Sequence, residues 1–132
     1  MNKFHLTVAT PDGVRFDGEA ESLLVRTSDG DVEILAGHTE LVASVATGRV
    51  RIKDGTNERL ASASGGFLSV EKKSVKLVTT TFEFQDEIDL GRAEAARDRA
   101  EELLRNAKDE KTARALEAKL TRALTRIKVK KM

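Results

Sequence analysis

The stretch Phe82-Glu83-Phe84-Gln85-Asp86-Glu87-Ile88-Asp89-Leu90-Gly91-Arg92-Ala93 divides the chain, and what lies on either side of it decides the fold class. All five Phe (4, 16, 67, 82, 84) fall before residue 85, as do ten of the eleven Val, and eight of the nine Gly lie from Gly13 to Gly66. Residues 86–132 instead hold nine Ala and six Leu. Val, Phe and short Gly-bounded runs favour strands, whereas Ala, Leu, Arg and Glu favour helix. The expected fold class is therefore α+β, β then α. Residues 1–85 should form an N-terminal antiparallel β-sandwich and residues 86–132 a C-terminal antiparallel two-helix hairpin.

Upstream of the divide, about nine short runs read as strands. Phe4, Leu6 and Val8 alternate with polar neighbours, and Thr10-Pro11-Asp12-Gly13 supplies a turn. Val14–Asp17 and Glu19–Thr27 follow, then the hairpin signal Ser28-Asp29-Gly30-Asp31. Val32–Leu35, Leu41–Ala46, Gly48–Lys53, Arg59–Ala63, Gly66–Glu71 and Ser74–Phe82 complete the set, with turns at Asp54-Gly55 and Lys72-Lys73. Many short strands without intervening helices argue for a sandwich or barrel.

Downstream, Asp86 to Asp89 offers N-cap chemistry with acids in the first helical turn. Ala93, Ala96, Ala100, Leu103 and Ala107 then recur at helical spacing to about Asn106. Asp109 should cap a second helix whose stripe is Leu116, Leu120, Ala123, Leu124 and Ile127. A short connection makes the two antiparallel. The Ala/Leu seam buries little area per residue, so the hairpin should be marginal alone and able to leave the sandwich.

Composition narrows the function classes. Lys+Arg 23 against Asp+Glu 22 gives a net charge of +1, too little for bulk attraction to nucleic acid or anionic membrane. With no Cys there is no disulfide, thiolate or Cys-ligated zinc, and with only short apolar runs no membrane span or signal peptide is expected. Enzyme chemistry finds little footing. His5 alternates within a strand and His38 follows a loop glycine. Asp29-Gly30-Asp31 lacks the further oxygens of a calcium loop, and Ser64-Gly65-Gly66 lacks a P-loop Lys, so it reads as tight backbone packing. No metal site and no catalytic residue is expected.

The hairpin carries the one suggestive constellation. Arg92 and Arg99 are two turns apart, Arg122 and Arg126 one turn apart, and a hairpin folding near residue 109 brings all four to one ridge. Four guanidinium groups would repel there unless an anion joined them, and Arg is shaped for bidentate phosphate contacts. The plainer alternative leaves each Arg solvated or paired locally, with Glu94, Asp98, Glu101 and Glu102 nearby. After Glu117 come Lys119, Arg122, Arg126, Lys128, Lys130 and Lys131 with no acid. This end suits either its own helix dipole or an acidic partner surface, for which Arg114, Lys119, Arg122 and Arg126 are the candidates.

In order along the chain, Val8-Ala9-Thr10-Pro11-Asp12-Gly13, Gly30-Asp31, Ile34-Leu35, Gly37-His38, Ser64-Gly65-Gly66-Phe67-Leu68 and Ile88-Asp89-Leu90-Gly91-Arg92-Ala93 resemble the epsilon subunit of the bacterial F-type ATP synthase. The resemblance spans nearly the whole chain. It implies a sandwich that grips the gamma subunit and sits on the c-ring, with a mobile hairpin that extends toward the catalytic alpha/beta head and opposes ATP hydrolysis. It implies a non-catalytic subunit peripheral to the cytoplasmic face of the cell membrane, without insertion into it and without nucleic acid. It further implies ATP as a regulatory ligand, with or without magnesium and with no required cofactor, at Glu83, Ile88, Asp89, Arg92, Ala93, Arg99, Arg122 and Arg126. Two positions depart from the family pattern: Glu33 stands where Gly is usual and Ala36 where Pro is usual, which bears on the turn geometry of Gly30–His38. Two other readings accompany this one: a constitutive structural stalk subunit without ATP sensing, and a basic-helix nucleic-acid module, which the absence of Trp and Tyr disfavours.

Overall fold

The computed structural model describes residues 2–132. Strands β1 (Phe4–Thr10), β2 (Gly13–Ala20), β3 (Ser22–Thr27), β4 (Gly30–Leu35), β5 (Leu41–Asp54), β6 (Asn57–Val70) and β7 (Ser74–Phe84) form one continuous sheet in the order β2-β1-β7-β6-β5-β3-β4. A single 3-10 turn, Gln85–Glu87, leads to helices α1 (Leu90–Arg105) and α2 (Glu110–Lys130). The β-then-α order matches the expectation from sequence.

The sheet folds on itself because its long strands break register in the middle. Leu41–Val45 of β5 pairs with Gly66–Val70 of β6, and Gly48–Asp54 pairs with Asn57–Ala63, with Ala46-Thr47 opposite Ser64-Gly65 left between the two ladders. Gly66 makes the bend: its φ is +136°, and a Cβ there would lie 1.9 Å from the Val78 carbonyl oxygen. The expected tight packing at Ser64-Gly65-Gly66 is therefore present. Alternating apolar residues from both halves fill the interior, with Leu6, Leu23, Ile34, Leu68, Leu77, Val8 and Val50 essentially free of solvent. Both edge strands carry charge, Arg15, Asp17 and Glu19 on β2 and Asp31 and Glu33 on β4, which discourages edge-to-edge association.

Several expectations need correction. The runs Leu41–Ala46 and Gly48–Lys53 are one strand, as are Arg59–Ala63 and Gly66–Glu71, because a bend need not end a strand. The break expected at Gly18 falls at Glu21, since Gly18 pairs with Leu6 and the Glu21 amide already bonds the Lys53 carbonyl of β5. One pair, β1 with β7, is parallel, while all others are antiparallel. Glu33 lies within the β4 ladder rather than in a turn, and Arg51 Nη2 donates to its carboxylate at 3.0 Å across Leu24. Ala36 packs partly buried against the core, and the turn closes through the His38 amide on the Leu35 carbonyl.

Asp89 caps α1 and Asp109 caps α2, accepting from the Arg92 and Thr112 amides at 3.1 and 2.7 Å. The expected acids of the first α1 turn sit instead in the preceding 3-10 turn. Ala93 and Ala100 of α1 and Leu116, Ala123, Ile127 and Val129 of α2 are buried, but Ala96, Leu103 and Leu124 stay exposed, so the seam is thinner than the pattern suggested. The hairpin is folded onto the sandwich, and α2 is the inner helix: it lies against β5 and β6, while α1 packs chiefly on α2.

Candidate functional site

Along β6 from Ala61 to Ser64 every residue is buried, and strand geometry gives each face its own reason. Ala61 and Ala63 belong to the sandwich core, whereas Ser62 and Ser64 face the other way, toward α2. Their cross-strand partners on β7 are Glu83 and Thr81. Ser64 and Thr81 share a hydroxyl hydrogen bond, and Glu83 accepts from Arg126 Nε of α2 at 2.8 Å. That ion pair is half-buried and joins the helix to the sheet.

A cavity of about 540 Å³ opens at this junction. Ser62, Ser64 and Thr81 form its sheet wall, Asp12 and Arg15 from the β1–β2 hairpin one rim, and Arg122 and Arg126 the helical roof. Glu87 closes the remaining side. It accepts from the Phe84 amide at 2.9 Å and pairs with Arg15. The Phe84 amide, followed by the nearby Arg15 and Arg59 cations, holds the Glu87 carboxyl below its ordinary range. Arg59 stacks on Phe84, its guanidinium carbon 3.6 Å from the ring centre.

A second cavity, about 260 Å³, lies between the two helices. Arg99, Lys119, Arg122 and Arg126 line it together with small apolar residues, and no carboxylate reaches its wall. Arg122 and Arg126 therefore belong to both cavities. Among the described residues Arg99, Lys119 and Arg122 form no ion pair, so the local pairing considered for Arg99 and Arg122 is not made, while Arg99 is exposed as the solvated alternative has it; Asp98 and Glu101 pair with Arg97 instead. A cationic concavity of this kind can hold a polyanion.

The residues singled out from sequence are thus distributed unevenly. Glu83, Arg99, Arg122 and Arg126 gather at the two cavities. Arg92 is exposed and lines neither, so the expected ridge of four arginines is three arginines and Lys119. Ile88 and Ala93 are buried, at 3% and 0% exposure, and Asp89 is occupied in capping α1. Arg114 is exposed and pairs with Glu110 at 2.7 Å. His5 lies at the β1–β2 edge between Asp17 and Glu19, and His38 bonds the Thr39 carbonyl. Sequence reasoning missed Ser62, Ser64, Thr81, Arg15 and Glu87 as lining residues. The Ala-Ser-Ala-Ser alternation of 61–64 was a legible sign of a polar face beneath a helix, and Lys119 was legible only as part of the cationic run after Glu117.

The beta-sandwich domain of the ATP synthase delta/epsilon chain matches residues 3–85, and the long alpha-helix domain of that chain matches residues 86–131. An ATP synthase epsilon chain of Caldanaerobacter subterraneus subsp. tengcongensis is 39% identical over 127 residues, covering 96% of this chain and 92% of that protein. One from Bacillus pumilus is 37% identical over 129 residues, covering 98% of each. A chain from the Euglena gracilis mitochondrial ATP synthase superposes with a TM-score of 0.80 at 24% identity, over 90% of this chain and 76% of that one. A chain from the central stalk and c-ring of the Tetrahymena thermophila mitochondrial ATP synthase gives 0.70 at 12% identity, over 98% and 97%. These last two are likenesses of fold.

Proposed function

The chain belongs to the delta/epsilon chain family of ATP synthases, and from that premise we propose that it is a non-catalytic stalk subunit whose hairpin acts as a nucleotide-sensing brake on ATP hydrolysis. In this reading the sandwich couples the gamma subunit to the c-ring at the cytoplasmic face of the membrane. No helix among the described residues is long and apolar enough to cross a bilayer.

The observation that carries the sensing function is the convergence of Arg99, Arg122 and Arg126 with Lys119 around a carboxylate-free cavity in the docked hairpin. Docked, Arg99, Lys119 and Arg122 line one cavity without a carboxylate partner, and ATP bound among them supplies the missing anion. Extended, the same side chains are free to meet acidic surfaces of the catalytic subunits and impede rotation. Arg114, whose partner Glu110 is exposed, joins them on that surface. ATP shifts the balance only through its differential affinity for the two forms. At ten times its dissociation constant the shift is about 1.4 kcal/mol. A seam built of Ala93, Ala100, Leu116 and Ala123 leaves a gap small enough for that shift to matter. ATP is the signal here, and no residue is assigned to hydrolyse it.

Calorimetric titration of ATP into the purified chain tests the reading, with Arg99→Ala plus Arg122→Ala as the control. Saturable one-to-one binding, weakened at least tenfold in the double variant, is expected. An absence of binding at millimolar ATP, by heat and by an independent probe, would remove the sensor and leave a constitutive structural subunit.

A further inference from the structure

The open flank of the sandwich, where β2 comes against β5 and its turn into β6, has a chemistry that nucleotide sensing does not use. Two cavities meet there at Arg59. One, of about 340 Å³, is floored by Phe16 and Ile52 and rimmed by Glu19, Asp54 and Glu58. The other, of about 450 Å³, is floored by Phe84 and Val14 and rimmed by Asp12, Asp86 and Glu87. No residue of α1 or α2 lines either one.

The charge on this flank has one sign. Six carboxylates line the two cavities against two arginines, and both arginines are spent. Arg15 pairs with Glu87, and Arg59 lies over the Phe84 ring. Asp54 is answered by Lys3 at 2.8 Å. Asp12, Glu58 and Asp86 are exposed and form no ion pair among the described residues. Such a wall repels anions, and no group of three acidic or histidine side chains among the described residues is placed to share a metal ion. Its apolar floor asks for an occupant that carries hydrocarbon beside its cations.

The edge strand specifies the shape of that occupant. β2 ends the sheet, so its outer row of backbone N–H and C=O groups has no ladder partner. Phe16 lies opposite the fully buried Val8 and points inward, while Asp17 and Glu19 are exposed on the other face. A strand added there would repeat this alternation, with apolar side chains toward Phe16 and Ile52 and charged ones outward. The carboxylates that discourage a second copy at this edge favour a basic chain. We infer that the flank docks an extended basic segment of a partner protein, which adds to β2, buries aliphatic side chains over Phe16 and Ile52, and sets Lys or Arg against Asp12, Glu58 and Asp86. Because the flank shares no residue with the helices, the segment stays bound whether the hairpin is docked or extended. Attachment and switching then use separate surfaces.

The test is calorimetric titration of three end-blocked heptapeptides into the full chain: Lys-Val-Lys-Val-Lys-Val-Lys, the same peptide with Ser for Val, and the same peptide with Glu for Lys. Amide chemical shifts of the labelled chain, followed in parallel, report where each peptide sits. The Lys/Val peptide should bind saturably at submillimolar concentration, with shifts confined to residues 12–19, 52–59 and 84–87. The Lys/Ser peptide should bind about tenfold more weakly, and the Glu/Val peptide not at all. Glu58→Lys plus Asp86→Lys should weaken the Lys/Val peptide by about tenfold. Both side chains are exposed, so the fold is not at stake. The inference is overturned if the Lys/Val peptide does not bind at millimolar concentration, if its shifts map elsewhere, if the Lys/Ser peptide binds as tightly, or if the double variant binds unchanged. None of these outcomes bears on ATP binding, since no cation of the hairpin is altered.

Discussion

Glu87 joins the two halves of the chain with one carboxylate. It accepts from the Phe84 amide, pairs with Arg15 of β2, and so fixes the 3-10 turn to the sandwich before either helix begins. Because these partners favour its charged form, its pKa is lowered in the folded state. A carboxylate depressed on folding contributes stability that is full above the unfolded value of about 4.3 and is lost as pH falls through the folded value. Glu87→Gln should therefore lower the melting temperature at pH 6 by a few degrees, and the difference from wild type should shrink as the pH is taken to 3. Thermal melts across that range check it, and a penalty unchanged at pH 3 would show that charge is not what matters. At this scale the sequence was legible for side chains whose partners lie nearby in the chain, such as Asp89 and Asp109 as caps. It was only partly legible for Ser62 and Lys119: the alternation of 61–64 and the cationic run after Glu117 mark a polar face and a basic end, but not which element far along the chain each one meets.

The element that decides the docked state is the C-terminal end of α2. Helix ends leave carbonyls without intrahelical partners, and here Gln85 Nε2 donates to those of Val129 and Met132 at 2.9 and 3.0 Å. Lys130 Nζ returns a bond to the Gln85 carbonyl at 3.0 Å, and Val129 is fully buried beside this clasp. The cations of this end thus serve the docked hairpin as well as any partner. Gln85→Ala removes two bonds of about 1 kcal/mol each, so amide exchange in the last turn of α2 should rise by about tenfold or more. Strands β1 and β3 should be unaffected, and a uniform rise across the sandwich would instead mean that Gln85 supports the whole fold. Element type was readable from composition and period, while element length was not. Gly65 and Gly66 look like a strand end because glycine punctuates chains, yet here they bend one strand through the sheet and let β6 serve both halves.

Over the whole molecule the apolar interior is divided as the sequence is divided. The sandwich core cluster runs from Phe4 to Phe84 and includes no residue of either helix. The surface that β6 turns toward α2 is instead polar, with Ser62 and Ser64 beneath Arg122 and Arg126. Undocking therefore exposes hydroxyls and an ion pair there rather than a dry apolar face, and water can satisfy both. The helices, 16 and 21 residues long, are held by their thin seam, by the Arg126–Glu83 ion pair and packing of α2 on β5 and β6, and by the Gln85 clasp. It follows that a chain ending after Glu87, which keeps the Arg15–Glu87–Phe84 clamp, should fold cooperatively and melt within about 8 °C of the full chain, the equivalent of 1–2 kcal/mol for a domain of this size. Calorimetry of the two chains side by side decides it. Loss of cooperative unfolding in the shorter chain would mean that α2 completes the sandwich, and a hairpin so required could not leave it to act as a brake. Retention would mean that the hairpin is free to respond to a ligand without endangering the domain that carries it.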